Sequence, residues 1–389
     1  MENDGKRPCS YPYLSPELVQ EILSYLPAKS LMRFKSVCRS WRSIILDPPF
    51  ARSHNRRGSS PRFLISSIFR FPGSDIDFFN VNLEDQRISV DHTFHGHQQR
   101  GIICSNQVNG LVCFYYSDDH PSYLHNIATR ETVQLPAPSK GEDYRHSFHL
   151  GFDPVTKLYK LVKINCLLEY QHYSINCEIL TLGDGSPWRT IDSPPWKLLL
   201  SRCECYNGVL CWDEDPEDSR IVGFDLSNER FFDFPKPTQR YKDSRLLYFG
   251  PGLSMSTRDV EECPDDKYKI SKCSIISYHH HHGYNNGRGG DGVNNYLAAE
   301  VPTELKLEFP VTWFTKVKCI IGILPDGKVL MHGIEKYYCH PERVLFVYNP
   351  THGTTETLSM DPSLVSSSSK LDAFYFKENI LPLRCLIPS

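Results

Sequence analysis

The stretch LSPELVQEILSYLPAKSLMRFKSVCRSWRSIILDPPFARSH, Leu14 to His54, is patterned unlike anything after it. Ser15 with Pro16 and Glu17 makes a helix start, and apolar residues then recur at Leu18, Ile22 and Leu26 with Val19 and Leu23 alongside. Spacings of three and four line one face of a short helix. Pro27 is expected to end it, because its ring cannot continue the backbone ladder. Ser30 is then the candidate cap of a second helix with Leu31, Phe34, Val37, Cys38, Trp41 and Ile44/Ile45 along its stripe. Pro48 and Pro49 are expected to close the unit. Two or three helices of this length are near the size below which a single core seldom suffices without metals, disulfides or a partner. Each large aliphatic side chain removed from water contributes about 1.5–3 kcal/mol, so apolar residues left bare on so small a body favour association. The plainer alternative is that the helices pack onto the domain that follows. Spacing alone does not choose.

These residues carry a resemblance. The stretch looks like an F-box of the kind common in plants, whose usual form is Leu-Pro-x-(Asp/Glu)-Leu, an Ile-Leu pair, a Leu-Pro, a Ser-Leu and Val-Cys-(Arg/Lys)-x-Trp. Ser15 stands where Pro is usual, and Pro16 is displaced by one. The resemblance implies a helical bundle that docks on a Skp-type adaptor, which in turn binds a cullin. It also implies that Leu14, Pro16, Leu18, Ile22, Leu23, Leu26, Pro27, Leu31, Val37, Cys38 and Trp41 form the adaptor face or its direct support. Both roles demand apolar side chains, so which residues do which stays open.

Beyond residue 60 the chain repeats itself. NGLVCFYYSDD at Asn109 and NGVLCWDEDPED at Asn207 share an Asn-Gly turn, an apolar strand, a cysteine, an aromatic and an acidic end; DGKVLMHGIEK at Asp326 is a looser third copy. Asn-Gly and Asp-Gly suit tight hairpins whose central residues take positive φ. A second pattern follows each copy: YLHNIATRETVQLP, IVGFDLSNERFFDFP and VLFVYNPTHGTTETL run a strand into Asn126, Asp225 or Asn349, turn, and return as a strand ending at Leu135, Phe234 or Leu358. GFDPVTKLYKLVKI at Gly151 has the same layout, and EILTLGDGSPWRTI at Glu178 reads as another hairpin. Short strands with regular turn signals mean an all-β sandwich, barrel or propeller. Blades of about 40–50 residues would fit two to each interval between Asn-Gly elements, or around six in all. Trp188, Trp196, Trp212 and Trp313 are expected to pack between them. The body also resembles the plant F-box-associated domain, related in layout to kelch repeats.

Composition is that of an ordinary globular protein, with 43 Lys and Arg against 46 Asp and Glu. Residues 1–60 hold ten basic and five acidic residues, so the remainder is acidic. RSHNRR, Arg52 to Arg57, is a short basic cluster, for which a solvated linker is the plainer reading than nucleic-acid binding. No apolar run reaches the length of a membrane span and none has the pattern of a signal peptide. The fourteen cysteines show no framework and there is no usable N-glycosylation sequon, so reduced thiols in the cytoplasm or nucleus are expected. No Cys-x-x-Cys occurs, and Cys203 and Cys205, alternate residues of one strand, suit packing over chelation. GRGGDG at Gly287 and the histidines His279 to His282 sit in a low-complexity insertion and read as a loop. The acidic WDEDPED (Trp212 to Asp218) and RDVEECPDD (Arg258 to Asp266) hint at a basic partner, with solvated loops the plainer reading.

The sequence therefore predicts an α+β multidomain chain: a flexible 1–12, a helical F-box over 13–55, and an all-β propeller-like repeat domain over 56–389 with a low-complexity loop at 278–295. The implied role is non-catalytic and needs no cofactor or metal: the substrate receptor of a cullin-based ubiquitin ligase, with a Skp-type adaptor, a cullin and an unknown target protein as partners and neither nucleic acid nor membrane. The rivals are an adaptor-binding interaction protein outside any ligase and a carbohydrate-binding or oxidase-like propeller.

Overall fold

A computed structural model describes residues 14–57 and, with gaps at connections, 62–387; the longest gaps are 195–202, 260–271, 280–298 and 359–369. The N-terminal unit holds four helices: α1 (Pro16–Ser24), α2 (Ala28–Phe34), α3 (Arg39–Ile45) and α4 (Pro48–Arg57). Ser15 caps α1 as expected, its Oγ accepting from the Leu18 N–H at 3.3 Å. Three expectations need correction. Ser30 lies inside α2, which starts directly after Pro27. The second stripe is two helices, broken at Lys35–Cys38, and the Cys38 Sγ accepts from the Trp41 N–H at 3.4 Å at the start of α3. Pro48 and Pro49 begin α4, where the missing proline N–H is one that a helix start leaves unpaired in any case. The basic cluster Arg52 to Arg57 is thus helical rather than a linker, and His54 within it is buried.

Six antiparallel sheets follow among the described residues, here numbered as blades from the innermost strand outwards. Blade 1 is Lys370–Phe376, Arg62–Ile68, Ile76–Asn82 and Arg87–Phe94; blade 2 is Ile102–Cys104, Leu111–Tyr116, Tyr123–Asn126 and Thr132–Gln134. Blade 3 is Arg145–Phe152, Tyr159–Glu169, His172–Leu182 and Arg189–Ile191; blade 4 is Cys203–Tyr206, Val209–Trp212, Arg220–Asp225 and Arg230–Pro235. Blade 5 is Asp243–Phe249, Gly252–Asp259 and Lys272–His279, the last pairing with both Ala299–Glu300 and Leu305–Glu308. Blade 6 is Thr315–Ile323, Val329–Tyr337, His340–Asn349 and Thr354–Leu358. The innermost strands of blades 3 to 6 adjoin in turn, that of blade 6 adjoins Lys370–Phe376, and the innermost strands of blades 2 and 3 adjoin the second strands of blades 1 and 2. The ring closes when that late strand pairs with Arg62–Ile68, Arg62 opposite Phe376 and Ile68 opposite Lys370.

The turn chemistry explains the repeats. Asn109-Gly110 and Asn207-Gly208 are two-residue turns with both residues at positive φ (49° and 78°, 47° and 81°), as a twisted hairpin requires. The third copy differs: only Gly327 is at positive φ, and Leu324 and Lys328 flank a three-residue loop. In the second pattern the side-chain oxygens of Asn126, Asp225 and Asn349 each accept two backbone N–H groups just downstream. Arg130, Glu229 and Gly353 then take positive φ and donate back to the carbonyl of that same Asn or Asp. Asp153 and Lys157 build the same turn in blade 3, as the layout of GFDPVTKLYKLVKI suggested.

Alternate side chains of a blade strand enter different seams. Leu64 and Phe78 pack toward blade 2 while Ile65 and Phe79 pack toward blade 6. Trp212 is fully buried between blades 3 and 4, and Trp188 stands edge-on to Phe148 at 5.8 Å. Trp196 and Trp313 lie outside the described residues, as do residues 1–12, the insertion over 280–295 and most of both acidic stretches. Tyr278 and His279, assigned to that insertion, end a strand of blade 5. Cys203 is buried with the blade 3/4 seam and Cys205 packs against it. Asp153 is fully buried, and burial alone would raise its carboxyl. Hydrogen bonds from Ser227, Thr156 and the backbone outweigh that and hold it below the usual range. Lys160 beside it donates to the Leu226 carbonyl at 2.6 Å and to Glu229 at 2.9 Å, tying blade 3 to blade 4.

Candidate functional site

The helical unit divides its apolar residues into two sets. Leu23, Ala28, Leu31, Ile45, Phe50 and Ala51 are buried in one cluster with Leu111 and Leu124 of blade 2, Leu150, Leu161 and Leu180 of blade 3, and Ile380, Leu381, Leu383 and Leu386 near the C-terminus. This is the packing onto the following domain that sequence alone left open. The second set faces outward. Of the seven large apolar side chains left exposed among the described residues, five are in this unit: Leu14, Leu18, Ile22, Tyr25 and Val37.

The local geometry follows from α1. Leu18 and Ile22 are one helical turn apart and Tyr25 three residues on, so they share a stripe opposite Leu23. Leu14 precedes the cap, and its side chain is 52% exposed; Leu18 and Ile22 are at 51% and 50%. Val37 sits in the turn before α3, which packs beside α1. Pro16, Pro27 and Cys38 are exposed too. Leu26 and Trp41 are half-buried against the cluster, Trp41 tilted on Phe34 at 5.3 Å. Leu23 and Leu31, by contrast, point into the body. Of the eleven residues singled out in sequence, seven are thus exposed, two are half-buried and two are wholly internal.

Two features escaped sequence reasoning. Tyr25, 69% exposed, continues the stripe, and its spacing from Ile22 was the available signal. His54 donates from Nε2 to the Leu26 carbonyl at 2.8 Å, fixing the chain where α1 turns into α2. No local pattern marks a histidine for that task.

The first and second strands of a blade turn at the same end of the ring as its third and fourth. At that end the segment after Phe376 crosses blades 2 and 3 and the helical unit sits on it. The arrangement defines a class: a β-propeller with a small helical unit fused to one end, bearing an exposed apolar stripe. Family comparison agrees with both parts. Residues 12–53 match the F-box domain, and residues 67–256 match the F-box associated beta propeller domain. The chain thus carries an F-box domain followed by an F-box associated β-propeller domain. An F-box/kelch-repeat protein of Arabidopsis thaliana is 30% identical over 292 residues, covering 65% of this chain and 65% of that protein, just under two thirds of each. A second F-box protein of that plant is 29% identical over 255 residues, or 58% of this chain and 60% of that one. Among solved structures, the nidogen/laminin complex contains a chain that aligns over 83% of this one and 100% of its own length, with a TM-score of 0.40 and 9% identity.

Proposed function

We propose that this chain is the substrate-recognition subunit of a Skp-cullin-F-box ubiquitin ligase, working in the cytoplasm or nucleus. The observation that carries the reading is the exposed stripe Leu14, Leu18, Ile22, Tyr25 and Val37, concentrated on a unit whose other large apolar side chains are buried or half-buried. In this role the stripe docks on a Skp-type adaptor, with Pro16, Pro27 and Cys38 beside it. Leu23, Leu26, Leu31 and Trp41 hold the helices that display it. The adaptor brings a cullin, and the propeller holds a target protein. Catalysis is then proximity: a target lysine kept near a charged conjugating enzyme gains effective concentration, and no residue of this chain performs bond chemistry.

The test is co-expression with a Skp-type adaptor, which is expected to give a stable binary complex, followed by a pull-down scored for cullin. Absence of measurable adaptor affinity in a well-folded chain would sink the proposal. Adaptor without cullin would point instead to an interaction protein outside the ligase.

A further inference from the structure

The start of α2 has no cap of its own. Its N-cap is Pro27, whose side chain makes no hydrogen bond, and the first residue, Ala28, is buried. The partner of the Ala28 N–H is the Glu378 carboxylate, 350 residues away, at 2.7 Å in a buried site. Asn379 next to it is 1% exposed and joins three parts of the molecule. Its Oδ1 accepts from Asn55 of α4 at 2.7 Å. Its Nδ2 donates to the Asn109 carbonyl in the blade 2 hairpin at 2.8 Å and to the Tyr159 hydroxyl of blade 3 at 3.2 Å. The Ile380 N–H returns to Asn55 Oδ1 at 3.3 Å, and the Leu383 N–H reaches Glu131 Oε2 at 3.1 Å. Ile380, Leu381, Leu383 and Leu386 fill the core beneath the helices. Just upstream, Phe376 makes the last pair of the strand that closes the ring.

We infer that residues 377–387 form a strap that makes closure of the propeller ring and seating of the helical unit one cooperative event. A strand that pairs with Arg62–Ile68 delivers Glu378 to α2 and Asn379 to α4 within three residues of its end, so the two contacts form and break with the strand. Without the strap, α2 has an unpaired buried N–H and the cluster that holds Leu31, Ile45 and Phe50 has lost Ile380, Leu381, Leu383 and Leu386. The coupling does not depend on the adaptor reading. Where that reading holds, the strap also sets the direction in which the α1 stripe points from the propeller, and so the placing of a bound target.

Hydrogen exchange on the full-length chain tests this, read by peptide. Glu378→Ala and Asn379→Ala are each expected to speed exchange of α2 and α4 amides roughly tenfold or more, because a buried hydrogen bond is lost at each. Peptides across 209–226, in blade 4, should keep wild-type protection. Glu378→Gln, whose amide oxygen still accepts from Ala28, should lie nearer wild type. In the reverse direction, Ala373→Pro puts a residue without an N–H into the closing strand and should loosen α2 and α4, which belong to the helical unit. Wild-type protection of α2 and α4 in both alanine variants overturns the inference, as does an opened ring with the helices undisturbed. If Ala373→Pro does not fold, the two alanine variants decide the matter.

Discussion

Leu18→Asp separates docking from folding. Leu18 is the third residue of α1 and 51% exposed, with its backbone N–H already held by Ser15. An acidic side chain in the first helical turn is favourable or neutral, so the free chain should unfold within about 2 °C of wild type. Docking is another matter. About half of the leucine side chain remains to be covered, worth roughly 0.8–1.5 kcal/mol of the value for full burial. A carboxylate pressed onto an apolar partner surface adds at least about 2 kcal/mol of uncompensated desolvation. Together these weaken adaptor binding by about 3 kcal/mol, a hundredfold or more in Kd. Titration calorimetry against a purified Skp-type adaptor, with thermal unfolding of the same samples, measures both quantities. Leu26 and Trp41 are poorer choices because each also packs on the core, so loss of binding there would confound docking with folding. Leu18→Asp binding the adaptor within threefold of wild type would refute the assignment of the stripe.

Leu31→Ala should behave oppositely: the residue is fully buried, so stability should fall by about 2–5 kcal/mol through the cavity left behind, seen as a drop of several degrees in Tm. Gly208→Ala is expected to cost roughly 1–3 kcal/mol by chemical denaturation, since Gly208 holds φ +81° and a Cβ there would lie 2.5 Å from Pro154 Cδ. Lys160→Met should cost about 3 kcal/mol or more, because it leaves the buried Asp153 and the adjacent Glu229 without their shared cation; an unchanged denaturation midpoint would count against the blade 3/4 tie. The pH dependence has a definite sign. Burial first, then the charges of His92 and Arg130, depress His125 to about 3, and burial does the same to His149. Both rings stay neutral in the fold while the unfolded chain takes up protons below about pH 6.5. Their contribution is therefore complete above that pH and lost progressively toward 3, about 2 kcal/mol for each ring by pH 5. Denaturation midpoints measured from pH 7.5 to 5 should fall, and His125→Gln should flatten the slope; stability that holds level over that range contradicts the assignment.

Much of the architecture was readable because it depends on neighbours in the chain. Asn-Gly at 109 and 207 specifies a turn through residues that tolerate positive φ, and Asn126, Asp225 and Asn349 each close a turn on their own downstream amides. The helical unit is legible from its spacing, though Pro27 and Pro48, which look like stops in sequence, each stand where a new helix starts. A proline breaks the ladder behind it and is harmless to the one ahead, so its position alone does not say which role it takes. What no local pattern could supply was the division of the apolar residues. Leu18 and Leu31 are equivalent as sequence, both leucines on amphipathic stripes, yet one is half exposed and the other wholly enclosed. The difference is made by Ile380, Leu381 and Leu383, which reach the helices only after the chain has passed round the whole ring. Burial is a property of what arrives from elsewhere, and the alternation of polar and apolar residues records only that something must arrive.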